Sequence, residues 1–308
     1  MKPTAFHYQR PETIDDAVDV LASEGEEATV LAGGQSLIPR MNYRTAKPDV
    51  VVDLNHVADL EYVHSEGDEL VIGAMTRQSA VRDHSDVTEH CPLLADALQY
   101  VGHKPTRHRG TIGGNLANAD PRSELPAVVT ALEGSLVVRN GDGERVIDAA
   151  DFFHGGMDTA LESDELLTEL RVPVQEDGVG YGFQEEAIVD SDWPIAGVAA
   201  TLEVADGECR SVRLAYAGVD ASPTRIEDAE AAIEGEPVGP DSFEAAASAA
   251  RENVSVTEQE TAESAELRVN QVGESDHPSA TVHADPGYKR ELVGALTYRA
   301  LEQAHDRV

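Results

Sequence analysis

The spacing of apolar residues changes character twice within the first fifty-five positions. Ile14, Ala17, Val18 and Leu21 recur at helical intervals, and Thr13-Ile14-Asp15-Asp16 resembles a capping box with Asp in place of Glu. Gly25 supplies a stop. Thr29-Val30-Leu31-Ala32 is then a short apolar run, which predicts a buried strand ending on Gly33-Gly34. Ser36 to Arg44 predicts a helix with Pro39 in its first turn. Asp49-Val50-Val51-Val52-Asp53 predicts a second strand. Residues 3–55 thus read as a small α/β unit whose first strand-to-helix turn is glycine-rich.

Further on, Glu69–Ala74 predicts a strand, Gln78–Asp83 a short helix, and Pro92–Tyr100 a helix that opens on proline. Glu124–Leu132 predicts another helix, with Ser123 as N-cap and Pro126 in the first turn. Strands follow at Ser135–Arg139 and Leu166–Val172, so residues 56–173 read as a second α+β unit. The acidic stretch Gln175-Glu176-Asp177-Gly178 reads as a linker. Three long strands, Tyr181–Ile188, Ile195–Val204 and Val212–Val219, precede helices at Ile226–Ile233, Phe243–Asn253 and Tyr288–Ala304. That order predicts an antiparallel sheet with helices. Val254–Pro286 is polar and weakly patterned, which predicts a long surface connection. The fold class expected is α+β, with units 1–55, 56–175 and 179–308.

Charge narrows the partners. Acidic residues number 58 against 23 basic, a formal net charge of −35, and the only lysines are Lys2, Lys47, Lys104 and Lys289. The apolar segments are too regular for disorder. The charge predicts a solvated acidic shell of the kind suited to a high-salt cytoplasm. Such a shell repels itself at low ionic strength and is screened at molar salt, where the Debye length is roughly 3 Å. It disfavours nucleic acid and anionic membranes. Cys91 and Cys209 are the only cysteines, and no C-x-x-C occurs, so the chain alone is not expected to hold an iron–sulfur cluster or structural zinc. No apolar stretch approaches a membrane span and no signal h-region is present, so a cytoplasmic location is expected.

Two glycine runs carry the candidate chemistry: Leu31-Ala32-Gly33-Gly34-Gln35-Ser36-Leu37 and Thr111-Ile112-Gly113-Gly114-Asn115. Each has β-branched residues that read as strand. Neither matches G-x-G-x-x-G or the P-loop. Glycine lets a backbone approach phosphate and adopt positive φ, and successive N–H groups form an anion-binding concavity. Ser36 adds a hydroxyl donor. A lone run of this kind is an ordinary tight turn; two point to one long ligand gripped from both sides, such as the dinucleotide FAD. Thr111 and Asn115 suit phosphate or flavin oxygens. Asp120 and Glu124 suit ribose hydroxyls, or serve as helix N-terminal carboxylates favoured by the dipole. His103, Lys104, Arg107, His108 and Arg109 form a basic island. It serves to compensate a pyrophosphate or dock a partner, or pairs internally; Arg107 is assigned one of the two functional roles and the histidines internal pairing. No catalytic triad or metal-ligand cluster can be assembled.

These runs, with Arg107, Asp120-Pro121…Leu125-Pro126, Ile72-Gly73-Ala74-Met75-Thr76, Glu165-Leu166-Leu167 with Pro173, and Tyr288-Lys289-Arg290…Leu296…Arg299-Ala300-Leu301, resemble the FAD-binding medium subunit of the molybdenum hydroxylases. That group holds aerobic carbon monoxide dehydrogenase and xanthine dehydrogenase. The resemblance covers nearly the whole chain and leans toward the carbon monoxide dehydrogenase-like branch. It implies two FAD-binding subdomains of the vanillyl-alcohol oxidase type and a C-terminal domain of the carbon monoxide dehydrogenase flavoprotein type. Both glycine runs would hold the pyrophosphate, Glu124 would lie near the adenosine, and Val101 and Leu167 would line the cofactor. Electrons would arrive from an iron–sulfur small subunit, fed by a molybdopterin large subunit, in a dimer of heterotrimers, and leave to an external acceptor.

Three positions depart from the pattern or qualify it. Many relatives carry Arg-Arg-x-Gly-Asp-Tyr where this chain has Ile188-Val189-Asp190-Ser191-Asp192-Trp193. Trp193 thus stands at the aromatic position beside the flavin, or else packs a domain interface. Gln184 replaces a lysine of some relatives. Oxidases of the wider fold often link FAD through a histidine near the first turn; Gln35 has no nucleophilic nitrogen, so non-covalent FAD is expected. The competing readings are a free-standing flavin oxidoreductase of the same fold and a non-catalytic scaffold subunit.

Overall fold

Thr13 opens the first helix as its side chain predicts: in this computed structural model, which describes residues 2–189, 191–256 and 284–308, its hydroxyl accepts from the Asp16 N–H at 3.1 Å. The helix α1 (Ile14–Glu24) ends on Gly25 at φ 54°. It packs Ala17, Val18 and Leu21 against Val50, Val52 and Leu54. The sheet beside it is parallel, with β1 (His7–Gln9), β2 (Ala28–Leu31) and β3 (Val50–Asp53) in the order β1-β3-β2. The first glycine run leaves β2 and enters α2 (Leu37–Tyr43).

A second sheet is antiparallel. Its strands are β4 (Val63–Glu66), β5 (Glu69–Gly73), β6 (Ser135–Asn140), β7 (Gly143–Asp148) and, after the small hairpin of β8 (Phe153–Gly155) and β9 (Asp158–Thr159), β10 (Leu166–Pro173). They lie in the order β4-β5-β10-β6-β7. Between β5 and β6 the chain makes six short helices: α3 (Gln78–Arg82), α4 (Ser85–His90), α5 (Pro92–Ala97), α6 (Lys104–Arg109), α7 (Ile112–Asn118) and α8 (Glu124–Ala131). Every residue of α8 is buried. The short α9 (Ala149–Phe152) follows β7.

The third sheet is also antiparallel, with β11 (Val179–Glu186), β12 (Ala196–Ala205), β13 (Glu208–Ala217) and β14 (Thr224–Arg225) in sequence order. Among the described residues, three helices accompany it: α10 (Glu227–Ala231), α11 (Pro240–Asn253) and α12 (Pro286–His305). Gly180 and Gly182 let β11 lie directly on α12; a Cβ at either would collide with the Ala304 or Ala300 carbonyl. No helix among the described residues is long and apolar enough to cross a membrane.

Three expectations change. The second glycine run reads as strand-like, yet Thr111 makes only a single bridge with Arg77, and its Oγ1 accepts from the Gly114 N–H at 3.0 Å. That cap turns Ile112–Asn118 into a helix, overriding the β preference of Thr-Ile. Ser123 precedes α8 but does not cap it; its hydroxyl donates to Asn115 Oδ1 at 2.9 Å. The strand β7 was not expected, because only Ile147 of its six residues is buried and no alternation marks it. Most of the expected Val254–Pro286 connection lies outside the described residues.

The β11–β12 loop holds Ser191 at φ 66°, in the left-handed region that only glycine enters freely. This is the position where the resembling pattern carries glycine. Ser191→Gly is expected to stabilise the chain by about 1 kcal/mol in urea unfolding, with Ser191→Ala neutral. No gain for glycine would show that the loop does not store this strain.

Candidate functional site

A cavity of about 690 Å³ opens where the three sheets approach one another. Its walls come from the first glycine run and the start of α2, and from the second run. The β5–α3 connection adds Ala74, Met75 and Gln78, the start of β10 adds Leu166 and Leu167, and the β11–β12 loop adds Trp193. The volume suits a cofactor-sized ligand.

The two runs touch backbone to backbone. A Cβ on Gly33 would collide with the Arg109 carbonyl and lie 2.7 Å from Gly110 Cα. A Cβ on Gly114 would lie 2.7 Å from Thr111 Oγ1 and 3.0 Å from Ala32 Cβ. Gly34 adopts φ 71°. Arg77 clamps the contact: its Nη1 donates to the Arg109 carbonyl and its Nη2 to Asn55 Oδ1 at 2.6 Å, while Asn55 Nδ2 donates to the Ala32 carbonyl at 2.9 Å. Neither Arg77 nor Asn55 belongs to a motif, so sequence reasoning missed both.

The runs are not equivalent in what they offer a ligand. In the second run the amides are already used. Ile112 donates to Thr76 O at 3.1 Å, Gly113 to Ala74 O at 2.8 Å, Gly114 to Thr111 Oγ1 at 3.0 Å and Asn115 to Thr111 O at 3.2 Å. In the first run the N–H groups of Gly33, Gly34, Gln35 and Ser36 meet no protein acceptor among the described residues. The Gln35 side chain instead donates to Gly33 O at 3.0 Å and stiffens the turn. The free amides are therefore gathered on the first run, and the second run buttresses it.

Of the expected site residues, Ala32, Gly33, Gly34, Gln35, Ser36, Leu37, Val101, Thr111, Gly113, Gly114, Asn115, Glu124, Leu167 and Trp193 line the cavity. Five do not. Leu31 is paired inside the parallel sheet opposite Asp53, and Ile112 is fully buried in the core. The Arg107 Nη1 donates to Val101 O at 3.0 Å and to Gly102 O, so it supports the Val101–His103 wall, while its Nε is buried without a partner among the described residues. Both Asp120 oxygens are taken by Arg122, at 2.9 and 2.8 Å. Gln184 donates to Gln303 Oε1 of α12 at 2.9 Å. Conversely, Gln78 lines the cavity at 3 % exposure with its Oε1 buried and unpartnered. A buried acceptor of this kind demands a donor. No spacing rule singled it out, since it merely begins a one-turn helix.

Glu124 is 2 % exposed, stands at the N-terminus of α8 and lines the cavity. Burial pushes its carboxyl up to about 7, with Asp120 adding to the shift and Arg107 opposing it. Burial likewise pushes Glu185 up to about 8, with Glu124 adding to it, and its Oε2 has no partner. Carboxyls raised above their unfolded value of 4.5 stabilise the fold when protonated, and that contribution is lost as pH climbs through 7 and 8. The melting temperature of the cofactor-free chain is expected to fall on the order of 5 °C from pH 6 to pH 9, and Glu185→Gln to flatten most of that slope. An equal slope in the variant would remove this pair as its cause.

Sequence comparison agrees with this geometry. The model of the FAD binding domain in molybdopterin dehydrogenase matches residues 4–175, and that of the CO dehydrogenase flavoprotein C-terminal domain matches residues 182–275. Nicotine 6-hydroxylase medium subunit of Paenarthrobacter nicotinovorans is 37% identical, with 100% of both chains covered. Caffeine dehydrogenase subunit beta of Pseudomonas sp. (strain CBB1) is 36% identical over 100% of this chain and 97% of its own. The solved carbon monoxide dehydrogenase from Hydrogenophaga pseudoflava superposes with a TM-score of 0.89 at 32% identity, over 100% of this chain and 99% of that one. A cavity with free backbone donors on one glycine run, within such a fold, leads to one assignment: the chain belongs to the FAD-binding medium subunits of the molybdenum hydroxylases.

Proposed function

We propose that this chain is the electron-relay subunit of a molybdenum hydroxylase complex, holding FAD non-covalently in the 690 Å³ cavity. The observation that carries the reading is the set of free amides from Gly33 to Ser36 beside the buttressing second run. Those amides would hold the diphosphate. Asn115, whose Oδ1 is occupied by Ser123, keeps its amide nitrogen for an acceptor in the cavity. Gln78 Oε1 and the Glu124 carboxyl would take hydroxyl or N–H donors. Val101, Met75, Leu166 and Leu167 supply apolar wall that excludes water. Bound FAD supplies the redox chemistry; the protein places it and tunes its potential.

The same reading gives the partners: an iron–sulfur small subunit delivering electrons and a molybdopterin large subunit feeding it, assembled as a dimer of heterotrimers. Cys91 and Cys209 are both buried and neither lines the cavity. The net charge of −35 supports a high-salt cytoplasmic setting.

Titration of the purified chain with FAD in molar KCl is expected to reach one flavin per chain, and acid precipitation to release it. No binding would overturn the cofactor site, and flavin retained on the precipitate would overturn non-covalent attachment. Gly114→Val should abolish binding by prising the runs apart. Gln78→Leu should weaken it about tenfold with the fold intact, the cost of one lost buried hydrogen bond. Stoichiometric flavin in Gly114→Val would sink the buttress role. The melting temperature should also rise between 0.1 and 3 M KCl as the acidic shell is screened; a fall would contradict the high-salt setting.

A further inference from the structure

Arg122 lies outside the cavity lining but makes a set of contacts that reaches it. Its Nε and Nη2 donate to the two oxygens of Asp120 at 2.9 and 2.8 Å, and its own backbone N–H donates to Asp120 Oδ1 at 3.1 Å. Asp120 is only 6 % exposed, so this two-pronged pair fixes the plane of the guanidinium. The guanidinium carbon then lies 4.7 Å from the centroid of the Trp193 ring, within cation–π range. Trp193 lines the cavity and is 39 % exposed. It hangs on the loop between β11 and β12, whose Ile195 N–H closes onto Glu186 O at 2.7 Å.

The turn carrying Arg122 is itself anchored from the third sheet. The Gly218 N–H donates to Pro121 O at 2.9 Å, and Lys289 Nζ of α12 donates to Gly218 O at 2.8 Å. One end of the stack is therefore rigid, and the other is a half-exposed indole at the mouth of the cavity. A flat ring at such a place swings unless something holds it, and the fixed guanidinium is what holds it here.

We propose that Arg122 is a positioning residue: locked by Asp120, it pins the Trp193 indole into the cavity wall and so sets the affinity of the site for its flavin. The inference rests on the FAD reading for its ligand, but the stack itself belongs to the free protein. Arg122 touches no ligand in this scheme and acts only through Trp193. Lysine would keep the charge but lose the planar two-pronged geometry.

Trp193 is the only tryptophan in the chain, so its fluorescence reports this stack alone. In the full-length, FAD-free chain, Arg122→Ala is expected to lower the anisotropy and red-shift the emission of the indole, with Arg122→Lys partway. FAD should quench the emission of the unsubstituted protein, and Arg122→Ala should weaken FAD binding about five- to tenfold. In a Trp193→Ala background, Arg122→Ala should change FAD affinity no further. Unchanged anisotropy in Arg122→Ala, or an equal loss of affinity with and without Trp193, would overturn the positioning role. Should Arg122→Ala melt early, the Lys variant and the paired Trp193→Ala comparison decide the same question. Failure of the unsubstituted chain to bind FAD would overturn the cofactor reading instead, and the anisotropy of the free protein would still decide the stack.

Discussion

Everything at this site depends on two glycine runs lying against each other with no side chain larger than the Ala32 methyl between them. Gly33 rests on Arg109 and Gly110, and Gly114 rests on Ala32, at distances where even a methyl group would collide with backbone or with Thr111. The contact is held by Arg77, which reaches the Arg109 carbonyl directly and the Ala32 carbonyl through Asn55. Bringing the parallel unit so close to the helical stretch after β5 leaves one of the two backbones with its donors unused. Four N–H groups gathered at one turn are costly to bury and favourable to place against an anion. The steric contact and the binding concavity are thus one feature seen from two sides.

How much of this the sequence disclosed depends on what kind of force fixed each element. The helix α1 is legible because its cap, its apolar stripe and its stop are all local. The long strands of the third sheet are legible from their apolar runs, and α8 because it is apolar along its length and starts after a serine and a proline-bearing turn. The strand β7 leaves no trace, since it is paired on one edge and wet on both faces but for Ile147. At the site, the glycine motifs disclosed two walls of the cavity but not which run offers free amides. That asymmetry arises from the β5–α3 connection, whose Ala74 and Thr76 carbonyls absorb the donors of the second run. Arg107 shows the same limit: a guanidinium beside a phosphate motif and one supporting a loop carbonyl look alike until the partners are known. Gln78 and Arg77 carry no pattern at all, because their importance lies only in what the fold brings next to them.

Charge is organised on two scales. At the surface, the excess of carboxylates is solvated and works through its sum. Inside, Glu124 and Glu185 are removed from water beside each other, and there a single proton matters more than the net charge. Among the described residues, the cation that opposes the shift of Glu124 is Arg107, already engaged with two carbonyls. The interior therefore favours a neutral carboxyl near neutral pH, a group able to donate as well as accept, at the cavity wall.

The tolerance of the site to change follows from the same distinction between backbone and side-chain constraint. A glycine contact admits no substitution that adds a Cβ, so the two runs can vary only around it. The β11–β12 loop asks less: a left-handed residue at 191, and at 193 a flat ring that the guanidinium of Arg122 can face. Serine satisfies the first demand with strain and tryptophan the second with a larger surface than tyrosine. Neither alters the turn that offers its amides. A chain of this kind can therefore differ at the rim of its cavity while holding the same cofactor at its centre, because the rim is built from stacking and the centre from sterics.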